Sequence, residues 1–212
     1  MLHLPPDIHT HDPSRRANAI ISGSPNQVAS WSRLWPDAQF SVGIHPWDTA
    51  ALTGQDAEAQ LLLLEQTAML PQVVAIGETG LDNLRGAPLD TQEVILRHHI
   101  TLSEKLGKPL LLHVVRAADR LLHLRRTLLP TLSQPWIWHG FRGKPQLARQ
   151  FLALSTTSSP SYISLGANFN PETAKAIPAD RLLTETDDST PTIDEVRRRI
   201  AQARHVNGSG TG

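Results

Sequence analysis

The sequence contains no cysteine. Disulfides, thiolate zinc knuckles and cysteine nucleophiles are therefore excluded, and a reducing compartment is unremarkable. Long apolar runs are also missing. Runs such as Leu61 to Leu64 and Leu110 to Leu112 fall far short of the ~20 residues a membrane helix needs. Met1 to Pro6 lacks the basic and apolar regions of a signal peptide, so the expectation is a cytoplasmic protein with no membrane contact. Neither charge sign is in excess, with 20 Lys+Arg against 20 Asp+Glu, which argues against a generic polyanion binder. Only four of the 20 basic residues are lysine. Arginine suits bidentate phosphate contacts, although a GC-rich genome produces the same bias. What the chain does have is 10 histidines.

Short β-type runs alternate with longer helical ones. Candidate strands are Asp7 to His11, Ala19 to Ser22, Phe40 to His45, Val73 to Glu78, Leu110 to Val115, Trp136 to Phe141, Tyr162 to Gly166 and Leu182 to Asp187. Helical stretches cover Ala57 to Met69, Asp90 to Leu106, Ala117 to Leu129, Pro145 to Leu154 and Ile193 to Ala203, with room for one short helix around Trp31, Leu34 and Trp35. Repeated strand–helix units imply a parallel sheet with right-handed crossovers. Eight strands in this length fit a small α/β protein of the (β/α)₈ TIM-barrel type. Asp12 to Asn18 is too short to hold a crossover helix, so the first βα segment is abbreviated. One domain is expected over residues 1–205, with a disordered tail at 206–212.

Polar residues recur at the carboxyl-terminal ends of these strands, where barrel enzymes place their chemistry. His9 and His11 are two apart on the first strand and so point the same way. Glu78, His113, His139 and Asp187 each close or follow an apolar run. Singly, each is ordinary, because a lone strand-end histidine is usually structural and a lone carboxylate usually solvated. Together, four imidazoles and two carboxylates outnumber what one cation can use, which points to two metal ions with Glu78 as the central bridge.

In order and spacing, Asp7-Ile8-His9-Thr10-His11, Gly43-Ile44-His45-Pro46, Ile76 to Asp82, Leu112-His113 with Arg116-Ala117, His139 to Gly143 and Glu185-Thr186-Asp187 resemble the TatD family of metal-dependent deoxyribonucleases. The likeness is strongest to a compact branch. The resemblance implies that His9, His11 and Asp187 bind one metal, that His113 and His139 bind the other, and that Glu78 bridges them. It also implies that His45 helps bind a substrate phosphate; a structural His-Pro turn is its rival. The chain departs from most of the family in its short first connection, in Arg142 where a serine is usual, and in the three-residue spacing from His113 to Arg116.

Arg116 and Arg142 lie just past ligands and can grip phosphate oxygens; alternatively they are solvated, or pair with Asp82 or Asp119. Glu185 can orient ligands or water from behind. His98 and His99 read as surface or packing residues, Trp136 and Trp138 as core. The expected activity is two-metal phosphodiester hydrolysis on DNA or oligonucleotide ends, with Asp187 taking the water's proton and Glu78 between the ions. Zinc, manganese or magnesium would serve as the divalent cation. A monomer without an obligate protein partner is expected. The competing readings are hydrolysis of a non-nucleic-acid ester, lactone or amide, and non-catalytic binding on the same barrel.

Overall fold

Each apolar run becomes one strand of an eight-stranded parallel sheet: β1 (Asp7–Thr10), β2 (Ala19–Gly23), β3 (Gln39–Val42), β4 (Val73–Asp82), β5 (Leu110–Val115), β6 (Trp136–Trp138), β7 (Ser161–Leu165) and β8 (Leu182–Thr184). The structure, a computed structural model, describes residues 4–205; the tail expected at 206–212 lies outside the described residues. Neighbouring strands pair in chain order. A parallel bridge between Thr10 and Asp187 brings the end of the sheet back to its start, giving a nearly closed (β/α)₈ barrel. Its helices are α1 (Pro25–Leu34), α2 (Gly54–Ala68), α3 (Leu89–Leu106), α4 (Ala118–Leu128), α5 (Pro145–Ala153), α6 (Pro171–Ala176) and α7 (Ile193–His205). No helix among the described residues is long and apolar enough to cross a membrane.

Strand alternation sorts the core into two parts. Leu110, Leu112, Trp136 and Trp138 pack outward with the helices in the main cluster. Leu111 and Ile137 group instead with Ile8 of β1, which is no neighbour of β5 in the sheet, so these three meet across the barrel interior. The same parity carries upward. His113 is two residues past Leu111 and His139 two past Ile137, so strands that fill the interior with apolar side chains below present imidazoles above.

The abbreviated front is present as expected. Between β1 and β2 there is only a three-residue 3₁₀ turn, Pro13–Arg15, capped by Asp12 through Ser14 N–H. Arg15 bridges the gap that a helix would fill, donating to the carbonyls of Ser189, Thr190 and Pro191 in the loop after β8. α1 is a full ten residues, begun by a Ser24–Gln27 capping box with Pro25 in its first turn. The helix α6 was not foreseen; six residues are too few for periodicity to register, although Asn170-Pro171 is a helix-start signal.

Several strand limits differ from expectation. β6 stops at Trp138 and β8 at Thr184, because Gly140 (φ 57) and Asp187 (φ 51) leave extended backbone. β4 runs on past Glu78 because Thr79 to Asp82 keep pairing with Leu112 to Val115.

Candidate metal centre and its cavity

Glu78 lies on β4, only 5 % exposed, with its carboxylate among the imidazoles. Its two oxygens face different partners. Oε2 lies 3.4 Å from His9 Nε2 and 3.2 Å from His11 Nε2. Oε1 lies 2.9 Å from His113 Nδ1, 2.7 Å from His139 Nε2 and 3.0 Å from His45 Nε2. Asp187 completes the first group, with Oδ1 3.5 Å from His9 Nε2 and 3.8 Å from His11 Nε2. All six residues singled out as ligands thus converge on one place, with His45 beside them.

Two of the rings have a second carboxylate behind them. Asp82 Oδ2 lies 3.1 Å from His113 Nε2, so a proton held there would free Nδ1 for a cation beside Glu78. Glu185 lies behind His139, with Oε1 3.4 Å from Nδ1 and accepting from Gly140 N–H at 2.6 Å, and would free Nε2 in the same way. Imidazoles backed by carboxylates in this way are oriented and made more basic for metal binding. His45 differs. Its Nδ1 accepts from Trp47 N–H at 3.2 Å, leaving Nε2 as the N–H. It can therefore donate to an anionic oxygen but offers no lone pair to a cation, even though its atoms fall within metal-binding distance of Glu78 and His113.

At 2.9 and 2.7 Å, His113 Nδ1 and His139 Nε2 approach Glu78 Oε1 so closely that a proton or a cation must lie between each pair. Among the described residues, neither nitrogen of the buried His9 nor Glu78 Oε2 has a well-formed hydrogen bond. Unpaired buried polar atoms of this kind are costly. The donor set, imidazoles and carboxylates in overlapping groups of three whose ligand atoms lie within 4.8 Å of one another, fits divalent cations. The electrostatics agree. Burial opposes ionisation of Glu78, yet the surrounding imidazoles, His139 and His9 first, hold it well below the usual carboxylate range. Burial likewise opposes charge on Asp187, but the neighbouring His9 pulls its carboxyl down to about 2. Burial would depress His139, whereas Glu78 and Glu185 raise it well above the usual histidine range.

A cavity of about 970 Å³ opens over this centre, lined among others by His11, His45, Trp47, Arg116, Arg142 and Asp187. Arg116 and Arg142 are exposed, and among the described residues neither forms an ion pair with Asp82 or Asp119. Arg116 has φ 48, a left-handed conformation uncommon for a side chain of its size and frequent at ligand-binding positions.

Some residues were missed from sequence. Asp82 was weighed only as an arginine partner, although Glu78 and Asp82 are four apart on one strand and so share a face. Asp7 accepts from Thr186 N–H and Oγ1–H at 2.9 and 2.6 Å, fastening β1 to the segment that carries Asp187. His99 is a packing residue as expected, wholly buried. Its Nε2 accepts from Ile44 N–H at 2.9 Å and its Nδ1 faces Ile95 O at 2.8 Å, which fixes the turn leading into His45.

Comparison with known proteins bears on the family and the fold. The sequence model of the family described as TatD related DNase matches residues 18–207, a span that begins after His9 and His11. The 3′-5′ ssDNA/RNA exonuclease TatD of Erwinia tasmaniensis is 32% identical over 176 residues, 80% of this chain and 64% of that protein. The Deoxyribonuclease Tat-D of Schizosaccharomyces pombe is 29% identical over 155 residues, 69% of this chain and 50% of that protein. The chain therefore matches about half to two thirds of the length of these relatives. In fold, it superposes on YJJV, a TATD homolog from Escherichia coli k12, with a TM-score of 0.73 at 21% identity, covering 93% of each chain.

Proposed function

The chain belongs to the TatD related DNase family, and from that premise we propose that it is a two-cation phosphodiesterase acting on DNA ends. The division of Glu78, with one oxygen toward His9 and His11 and the other toward His113 and His139, is the observation that carries this reading. His9, His11 and Asp187 would hold one cation and His113 and His139 the other, with Glu78 between them. The cations, when bound, supply Lewis acidity that offsets phosphoryl charge and makes hydroxide accessible near neutral pH.

The side chains divide the remaining work. Asp187, at the cavity floor, takes the proton of the attacking water. His45 Nε2–H donates to a phosphate oxygen, and the uncommitted guanidinium groups of Arg116 and Arg142 grip further oxygens in fork geometry. Glu185 and Asp82 keep His139 and His113 in the required tautomers. Action on strand ends draws on the name of the Erwinia tasmaniensis relative. The same reading takes the chain to be a cytoplasmic monomer.

The test pairs metal analysis of protein purified without chelator with cleavage of defined single strands in zinc, manganese or magnesium. About two cations per chain and shortening of strands from an end are expected. Hydrolysis of ester or amide reporters with intact oligonucleotides would overturn the nuclease reading in favour of another hydrolase, and a metal content below one per chain would overturn the two-cation centre.

A further inference from the structure

The side chain of Trp47 is tied to the centre through Asp82, and packing does not explain its exposed ring. Its indole is 47 % exposed at the mouth of the cavity. The ring lies nearly perpendicular to the imidazoles of His45 and His113, with centroids 4.8 and 5.9 Å away. Its orientation is fixed. Nε1–H donates to Asp82 Oδ2 at 2.7 Å, while Asp82 Oδ1 accepts from Leu84 N–H at 2.8 Å. Arg85 lies over the ring, its guanidinium carbon 4.2 Å from the ring centroid, a cation–π contact.

The loop that carries Arg85 is braced from below. Buried Gln92 donates to the carbonyls of Asp82, Arg85 and Ala87 at 2.9, 2.9 and 2.7 Å. Ala87 N–H donates to Thr49 Oγ1 at 3.0 Å. Gly86, at φ 83, lies so close to the Pro46 carbonyl that any Cβ would collide with it. An exposed aromatic ring held this rigidly loses little entropy when something stacks on it. Beside it lie the His45 N–H and the two uncommitted arginines. A rigid aromatic face beside arginines that can follow the backbone is how proteins hold unpaired bases with little sequence preference.

We propose that Trp47, backed by Arg85, is the stacking platform for the terminal nucleobase of a single strand whose scissile phosphate lies at the Glu78 centre. This rests on the nuclease reading and specifies its substrate as an unpaired end. A paired base must first leave its partner to reach the ring, which costs free energy, and every base offers a π-face, so little base selectivity follows.

The experiment measures binding of the metal-loaded protein to fluorescent single strands by anisotropy, with phosphorothioates at the terminal linkages to suppress cleavage. Strands carry an intact or an abasic terminal nucleotide at either end. Removing the terminal base at the bound end is expected to weaken wild-type binding about 5- to 100-fold. Trp47→Leu should weaken the intact strand by a similar factor and leave the abasic strand unchanged. Trp47→Phe keeps a stacking face and should bind within about threefold of wild type; Arg85→Ala, which leaves the Trp47–Asp82 bond in place, should show a smaller loss confined to the intact strand. Equal sensitivity to base removal in wild type and Trp47→Leu would overturn the platform, as would failure of the wild type to bind. Base-dependent binding without cleavage of unmodified strands would overturn the nuclease reading and leave the platform standing, whereas cleavage without base dependence would do the reverse.

Discussion

The two sides of Glu78 are built differently. On the Oε1 side each ligand has a carboxylate behind it: Asp82 at His113 and Glu185 at His139. Both carboxylates are buried, and both are tied to main-chain N–H groups, of Leu84 and Gly140. On the Oε2 side His9 Nδ1 has no partner, His11 is 39 % exposed, and Asp187 hangs on a left-handed residue past the end of its strand. That side also lies where the barrel closes, between a 3₁₀ turn and a loop joined by one arginine. Oriented ligands bind metal more tightly than ligands that must be ordered on binding. The Oε1 side should therefore hold its cation more firmly, and stepwise chelation should remove the Oε2-side cation first. A single concerted loss of both would show that the asymmetry has no energetic consequence.

The largest effect is expected at the weaker side. Asp187→Asn removes the carboxylate that reaches both His9 and His11 on that side, and with it the proposed proton acceptor. With saturating metal, turnover on oligonucleotides should fall by about 10²–10⁴, while circular dichroism stays near wild type. A variant within threefold of wild type would remove Asp187 from the chemistry.

Acid should weaken the fold as a whole through a residue that touches no ligand directly. His99 is wholly buried, and burial pushes its pKa down to about 4. It must stay neutral for Nε2 to accept from Ile44 N–H. Because the folded value lies below the unfolded one, the contribution is complete above about pH 6.5 and is lost as pH falls toward 4, amounting to about 3 kcal/mol. Denaturant midpoints for wild type and His99→Gln between pH 7 and 4 test this. The wild-type slope should exceed that of the variant; parallel curves would clear His99 of the effect.

What was legible in the sequence follows the same divide. The ligands were visible because each caps an apolar run, a pattern strand periodicity makes readable one residue at a time. His9 and His11, two apart, do reach the same oxygen of Glu78. The groups behind the ligands were harder to see. Asp82 meets His113 only because β4 pairs with β5 in a shifted register after Ile76, and no local pattern announces register between distant strands. Nothing local marks Arg15, since its carbonyl partners lie more than 170 residues away. The proton assignment of His45 depends on a turn whose sequence, His-Pro-Trp, suggests the bend but not its hydrogen bond. Strand ends were misplaced where single left-handed residues, Gly140 and Asp187, stop a run that composition alone would extend.

Removing the backing carboxylates should erase much of the asymmetry. Asp82→Asn and Glu185→Gln each keep the shape but weaken the acceptor, and each should lower affinity for the Oε1-side cation about 10- to 100-fold. Isothermal titration of metal-stripped protein should then show two sites of similar affinity where the wild type shows two distinct ones. A loss falling on the weaker site instead would reverse the assignment of sides.

The smallest effect is expected from the strap across the front. Arg15 donates to the carbonyls of Pro191 and Ser189 at 3.0 Å each and of Thr190 at 3.2 Å, and lies 3.3 Å from Asp12 Oδ2. Its side chain is only 24 % exposed, so the bonds are partly shielded, but they join two loops rather than core elements. Arg15→Ala should lower global stability by only about 1–2 kcal/mol. The informative readout is local. With the two loops released, the segments carrying His11 and Asp187 keep the Thr10–Asp187 and Asp7–Thr186 bonds but lose the outer brace, and the first cation should leave at lower chelator concentration, by less than about tenfold, while the second leaves as in wild type. Arg15→Lys keeps the charge but cannot span three carbonyls with one fork, so it should behave nearly as Ala. Rescue by lysine would mean that charge, not bridging, holds the front together. Equal shifts at both sites would mean that the strap supports the whole barrel rim.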